Sequence, residues 1–218
     1  MNTLEYIIND IEPLNLNAKM KEAQIVFKHL TYSHLPVVHD GDYVGCIAEN
    51  DAYCFDGDKQ LSDFRYAIEP FHVLSNANWL DTLKTFAVHN CNIIPVLGED
   101  NQYLGYYELN DIMGIFNSTP FLNESGGIIV VEKEIQDYSF SEICQIVESN
   151  KAHIFGLFVS RASETKVEVT LKIGQSSLNS IVQTFRRYNY TVVSQHDEDK
   201  FMEDLKDRSK YLDKYLNI

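Results

Sequence analysis

Residues 36–51 read PVVHDGDYVGCIAEND and residues 95–111 read PVLGEDNQYLGYYELND. Pro36-Val37 returns as Pro95-Val96, Tyr43 as Tyr103, Gly45 as Gly105, and Asn50-Asp51 as Asn110-Asp111. The offset is 59 residues at the proline and 60 beyond the turn, which places one inserted residue near Asn101. A match that survives an insertion confined to a turn is a structural repeat.

The repeat extends upstream: Asn17-Ala18 answers Asn76-Ala77 and Phe27 answers Phe86, both at the 59-residue offset. Each copy predicts the same series. An extended entry (residues 12–16 or 69–75) meets an Asn-rich helix start, where Asn side chains can cap free backbone N–H groups. The helix carries Met20, Ala23, Val26, Phe27 and Leu30, or Leu80, Leu83, Phe86 and Ala87, at helical spacing. An apolar strand follows (35–38 or 93–97), then a turn, then a second strand (43–48 or 103–108). Asn-Asp opens a second helix, with Asp51 and Asp111 as its N-caps.

After Asn117-Ser118-Thr119-Pro120 the pattern changes, and Pro120 argues against a continuous helix. Ser125-Gly126-Gly127 reads as a flexible hinge. Beyond it the order is strand 128–133, helix 140–150, strand 153–160, strand 166–173, helix 178–188 and strand 190–194. Ser139 and Glu142 form a capping box. Residues 166–173 alternate cleanly, with Val167, Val169, Leu171 and Ile173 on one face. The order βαββαβ builds a four-stranded antiparallel, ferredoxin-like sheet with both helices on one face. The last stretch, 197–218, spaces Phe201, Leu205, Leu212 and Tyr215 as an amphipathic helix that needs a packing partner, its own domain or a second subunit.

The chain has 218 residues and a net charge of −14. The charge is uneven: residues 1–120 hold 6 Lys/Arg against 17 Asp/Glu, and residues 121–218 hold 12 against 15. An acidic surface repels polyphosphate chains, which disfavours nucleic-acid binding as the main role. No apolar run is long enough for a membrane helix, and the acidic N-terminus lacks a secretory n-region. The four cysteines, Cys46, Cys54, Cys91 and Cys144, are scattered without CxxC spacing, so neither a disulfide framework nor a zinc site is expected and the setting is cytoplasmic.

The phrase hPVhh-turn-hhGhhxxxDh after an amphipathic helix resembles the CBS domain, and two in tandem resemble a CBS pair, a Bateman module. The C-terminal βαββαβ unit resembles an ACT-like domain, and the combination is similar to acetoin-utilisation-type CBS–ACT proteins. The resemblance implies an α+β protein with a pseudo-twofold CBS pair. Its domains are repeat 1 at 1–61, repeat 2 at 62–119, a linker at 120–127, the ACT-like domain at 128–196 and a helical tail at 197–218. It also implies clefts for an adenosine nucleotide or S-adenosylmethionine as a regulatory ligand. Asp51 and Asp111 would accept hydrogen bonds from a ribose diol. His34 and Ile93 would line the base or phosphate side, and backbone groups of the entry segments, near Leu14–Leu16 and Phe71–Val73, would meet the adenine edge. The family's Ser/Thr three residues before the aspartate is Ala48 in one copy and Glu108 in the other. Alanine offers no hydroxyl, and a glutamate within about 4 Å of a phosphate repels it by roughly 1 kcal/mol in water, more at lower dielectric. The amino-acid-binding loop of an ACT-like domain would be Gln136, Asp137, Tyr138 and Ser139, but this loop lacks the family's glycine.

Neither G-x-S-x-G, H-E-x-x-H, Walker A nor G-x-G-x-x-G occurs. The expected function is therefore non-catalytic: a homodimeric regulator that senses a small molecule in its CBS clefts and reports to an unknown protein partner. The alternatives are a ligand-free dimerising adaptor with degenerate clefts, and an unrecognised enzyme.

Overall fold

The computed structural model describes residues 3–175 and 178–194. The chain divides into two compact units, Met1–Phe116 and Asn117–Ile218. Unit one opens with a 3₁₀ turn at Leu4–Tyr6, then β1 (Leu14–Asn15), α1 (Met20–His29), β2 (His34–His39), β3 (Asp42–Ala48) and α2 (Glu49–Cys54). A 3₁₀ segment at Leu61–Ala67 leads to β4 (Ile68–Glu69). The series then recurs as β5 (Val73–Leu74), α3 (Trp79–His89), β6 (Ile93–Leu97), β7 (Tyr103–Glu108) and α4 (Leu109–Asn117).

The two copies match in register as well as in order. β1 runs parallel to β2 with Leu14 opposite Val37, and β5 runs parallel to β6 with Val73 opposite Val96. The antiparallel hairpins β2–β3 and β6–β7 share a bulge at the same place, between Val37 and Val38 and between Val96 and Leu97. Gly45 and Gly105 sit beside that bulge with φ of 154° and 146°. A side chain at Gly45 would come within 2.6 Å of Ile68 Cγ2, and one at Gly105 within 2.7 Å of Ile7 Cγ2. The glycines of the repeated phrase therefore admit a neighbouring strand. That strand comes from the other repeat's entry: β4 pairs with β3, while Ile8 bridges to Tyr106 in β7. A boundary drawn between residues 61 and 62 thus does not separate two self-contained sheets.

Each copy buries its own core. Leu16, Met20, Ala23, Phe27, Leu35 and Ile47 fill the first, and Phe86, Ile94, Val96, Tyr107, Ile112 and Ile115 fill the second. Asn capping holds in one copy only. Asn78 Oδ1 accepts from Leu80 N at 2.9 Å at the start of α3. Asn17 does not cap α1; its N–H donates to Asn15 Oδ1, and Lys19 takes the cap position with Glu22 reaching back to its N–H at 3.2 Å.

Unit two carries a short helix α5 (Pro120–Asn123), then β8 (Gly126–Glu134), α6 (Phe140–Ser149), β9 (Ile154–Ala162), β10 (Lys166–Gly174), α7 (Leu178–Arg187) and β11 (Thr191–Val192). The sheet order is β11-β8-β10-β9, all antiparallel, in the expected βαββαβ sequence. Ile129, Val131, Val169, Leu171 and Ile173 face Ile143, Val147, Ile181 and Phe185 of the helices. Of the expected hinge Ser125-Gly126-Gly127, the two glycines are the first residues of β8, and the linker 120–127 also holds α5. Gly126 and Gly127 are needed for close approach, since side chains there would collide with the Ile173 carbonyl and with Leu178. The capping box is half made. Ser139 Oγ accepts from Glu142 N, but the Glu142 carboxylate goes to Lys133 Nζ at 2.7 Å instead of back to Ser139. The amphipathic segment expected at 197–218 lies outside the described residues. Among the described residues no helix is long and apolar enough to cross a membrane.

Candidate functional site

Equivalent positions of the two repeats touch one another within unit one. Ser33 and Asn92, 59 apart, form a knot: Ser33 N donates to Asn92 Oδ1 at 2.8 Å and Ser33 Oγ does so at 3.0 Å. Asn92 N donates to Ser33 Oγ at 3.0 Å, and Asn92 Nδ2 to the Thr31 carbonyl at 2.7 Å. Tyr43 and Tyr103 stack with centroids 6.4 Å apart, and Asp42 bridges to Gln102. These contacts between like positions mark a pseudo-twofold axis. The carbonyls of the same two residues hold the second helices, Ser33 O accepting from Glu49 N and Asn92 O from Leu109 N, both at 2.9 Å.

The pairing therefore gathers two equivalent sets of residues. His34 lies opposite Ala48, one turn before Asp51; Ile93 lies opposite Glu108, one turn before Asp111. Asp51 and Asp111 are not N-caps. Each is the third residue of its helix, in the first turn, where a carboxylate is favoured by the exposed N–H groups. Ala48 holds the cap position of α2, without a side-chain bond.

His34 is buried, and its Nδ1 meets Ser33 Oγ at 2.9 Å. That hydroxyl spends its one proton on Asn92 Oδ1 and accepts from Asn92 N, so its remaining lone pair accepts from an N–H on His34 Nδ1. Burial holds the His34 pKa below its ordinary value, against the pull of Glu69 and Asp51 and with the help of His89. The imidazole is therefore neutral at pH 7, with Nε2 as an acceptor. Phe71 packs edge-on to it at 5.2 Å and stacks its face on His89 at 4.2 Å, while His89 Nδ1 lies 3.5 Å from Glu69.

The second set is built differently. Tyr32 donates to Glu108 Oε1 at 2.6 Å, Tyr106 donates to Asp10 Oδ1 at 2.6 Å, and the two hydroxyl oxygens are 3.1 Å apart. Burial and the bonded carboxylates push both phenols above their ordinary pKa. Ile93 is buried, opposite Glu108 in the hairpin.

Two expected contributors do not face either set. Leu16 is a core residue whose N–H donates to the Val38 carbonyl and whose carbonyl accepts from Ser62 N. Its N–H is committed, and its carbonyl already holds one bond. Val73 is likewise buried in the second core and paired through β5. Of the entry segment 71–73, Phe71 is the residue whose ring meets His34. Sequence reading missed Tyr32, Asp10 and His89, which come from outside the repeated phrase, and Tyr106, which lies within it at the position of Cys46. The 59-residue offset was the available signal, because it equates Tyr32 with Cys91.

In unit two, the loop after β8 borders two surface cavities of ≈ 440 and ≈ 250 Å³, Asp137 lining both and Gln136 the smaller. Three of the loop amides are occupied: Ile135 N donates to the Thr165 carbonyl, and Asp137 N and Tyr138 N to that of Glu134. Tyr138 packs on the core, and Ser139 caps α6. Among the described residues no group of three or more His, Cys, Asp or Glu is placed to hold a metal.

Unit one is thus a tandem α/β repeat closed about a pseudo-twofold axis. No family model matches the chain, and no curated protein matches it. Solved structures similar to it are CBS domain pairs. A CBS domain pair/ACT domain protein from Thermotoga maritima shares 18 % identity at a TM-score of 0.48, over 53 % of this chain and 96 % of that one. The CBS domains of a transcriptional regulator from Streptococcus pneumoniae share 15 % at 0.46, over 52 % and 98 %. CBSX2 in complex with AMP shares 14 % at 0.46, over 53 % and 95 %.

Proposed function

We propose that this chain is a non-catalytic regulatory protein whose CBS pair senses an adenosine-type nucleotide or a related small molecule such as S-adenosylmethionine. The observation that carries this reading is the Ser33–Asn92 knot. It binds the two repeats at like positions while its hydroxyl also fixes the tautomer of His34, so a ligand at His34 and Asp51 bears directly on repeat pairing. A ligand shifts a conformational equilibrium only by its difference in affinity for the two states. A contact at the inter-repeat knot supplies such a difference. The βαββαβ unit, read as an ACT-like domain, or a homodimer contact passes the change to a protein partner.

A second reading, the adaptor with empty clefts, is favoured at one place, the self-bonded set around Glu108. Thermal unfolding with AMP, ADP, ATP, adenosine and S-adenosylmethionine tests the two. A ligand at 100 times its dissociation constant adds about 2.7 kcal/mol to the folded state. A rise in midpoint that disappears in Asp51→Ala supports the sensor. A flat response across the panel favours the adaptor.

A further inference from the structure

We propose that the second cleft is closed by its own side chains, with Tyr32 and Glu108 as the residues that close it; if the sensing reading above is right, each chain takes one ligand, at the first cleft. The argument rests on four pairs of equivalent positions. Cys46 and Tyr106 lie opposite the matched prolines, and Ala48 and Glu108 lie opposite His34 and Ile93. Cys91 and Tyr32 are 59 apart, each just before a member of the Ser33–Asn92 knot. Phe71 and Asp10 each lie two residues beyond the strand that completes the sheet, Glu69 beside Cys46 and Ile8 beside Tyr106.

One copy therefore places two thiols, a phenyl ring and a methyl group where the other places two phenols and two carboxylates. In the second copy those four groups join end to end through contacts of 2.6, 3.1 and 2.6 Å. Both phenolic protons are committed to the carboxylates, so the hydroxyl–hydroxyl contact has no proton of its own. The assembly offers no donor to an anion, and Glu108 and Asp10 repel one. At the equivalent places the first copy holds the buried thiols of Cys46 and Cys91, which bond to no carboxylate among the described residues.

The first cleft differs in chemistry. It presents acceptors, Nε2 of neutral His34 and the Asp51 carboxylate, with Glu69 nearby. Its ligand is therefore a neutral or cationic hydrogen-bond donor, such as the ribose and exocyclic amine of a nucleoside. A terminal phosphate would meet Asp51 and Glu69 without a hydroxyl at Ala48 to receive it.

The test is calorimetric titration of the full chain with adenosine and with AMP. The proteins are the wild type, Asp51→Ala, Asp111→Ala, the double variant Tyr32→Ala/Glu108→Thr, and that double variant with Asp111→Ala added. Circular dichroism checks folding, and Glu108→Ala replaces the double variant if the latter unfolds. The expected result is one adenosine per wild-type chain, weakened about tenfold or more by Asp51→Ala and unchanged by Asp111→Ala. The opened variant should gain a second site that Asp111→Ala removes. Two adenosines per wild-type chain, a single site sensitive to Asp111→Ala alone, or an opened variant that gains nothing would each overturn the proposal. A wild type that binds neither probe, with an opened variant that binds one, would leave the closure standing and remove the sensing reading.

Discussion

Asn92→Ala removes three side-chain bonds at once: acceptance from Ser33 N at 2.8 Å and from Ser33 Oγ at 3.0 Å, and donation to the Thr31 carbonyl at 2.7 Å. Thr31 is exposed, so water replaces its partner at little cost. Ser33 is half-buried, and a donor left unpaired there costs about 1–3 kcal/mol. Its hydroxyl can turn to His34 once the imidazole moves its proton from Nδ1 to Nε2, which limits the second loss. The sum is about 2–3 kcal/mol, all of it from bonds that join one repeat to the other. The assay is urea unfolding followed by tryptophan fluorescence, because the chain's one tryptophan, Trp79, packs on the core of the second repeat and reports unit one alone. With a urea slope of about 1.5–2 kcal/mol per molar, the midpoint should fall by roughly 1–2 M. Ser33→Ala should cost a similar amount, and the double variant less than the two together, by about 1 kcal/mol or more. A loss below about 0.5 kcal/mol, or additive losses, would refute the claim that this knot couples the repeats.

Three further outcomes are expected. The Tyr107 hydroxyl is buried without a hydrogen-bond partner among the described residues, so Tyr107→Phe should be neutral or stabilising by up to about 1 kcal/mol in the same urea assay; a clear loss would reveal a bond there. Burial pushes the Cys91 thiol up to about 12 and raises that of Cys46 as well, whereas Cys54 is exposed. Iodoacetamide at pH 8 should therefore label Cys54 first and leave Cys46 and Cys91 unmodified until urea is added, as read by peptide mass spectrometry. His34 has a folded pKa below its ordinary 6.5, so the unfolded chain binds the extra proton. Its contribution to stability is complete above about pH 6.5 and is lost as pH falls below it, by at most about 1.4 kcal/mol per pH unit. Comparing wild type with His34→Gln at pH 7.5 and 5.5 should show the smaller acid loss in the variant, and equal losses would contradict this assignment.

Much of the fold could be read from the sequence because its signals are local. Strand alternation located β10 from its first residue, and the proline–glycine–aspartate phrase located β6 and β7 at both ends. The misread places depend on long-range packing. Gly126 and Gly127 look like a hinge along the chain, yet the Ile173 backbone and Leu178 demand their small size. Glu142 has the spacing of a capping box, but Lys133, nine residues earlier, captures its carboxylate and holds its pKa down. The candidate site divides in the same way. His34, Asp51, Glu108 and Asp111 follow from the repeated phrase, whereas Tyr32 reaches Glu108 across 76 residues and Asp10 reaches Tyr106 across 96. Only the crossing of the repeats brings those residues together, and hydrophobic periodicity carries no record of it. Around Leu16 an extended entry suggests free backbone groups, but its N–H is consumed by Val38 and its carbonyl already accepts from Ser62.

The central claim is that a small molecule enters at His34 and Asp51 and acts on the pairing of the repeats. Hydrogen–deuterium exchange of the full chain, with and without millimolar adenosine, addresses it without prior choice of a variant. The account predicts slowed exchange at residues 31–36, 48–54 and 69–73 and at Asn92, with residues 106–111 unchanged. Protection confined to residues 106–111, or no protection anywhere in unit one with adenosine, AMP or S-adenosylmethionine, would contradict it.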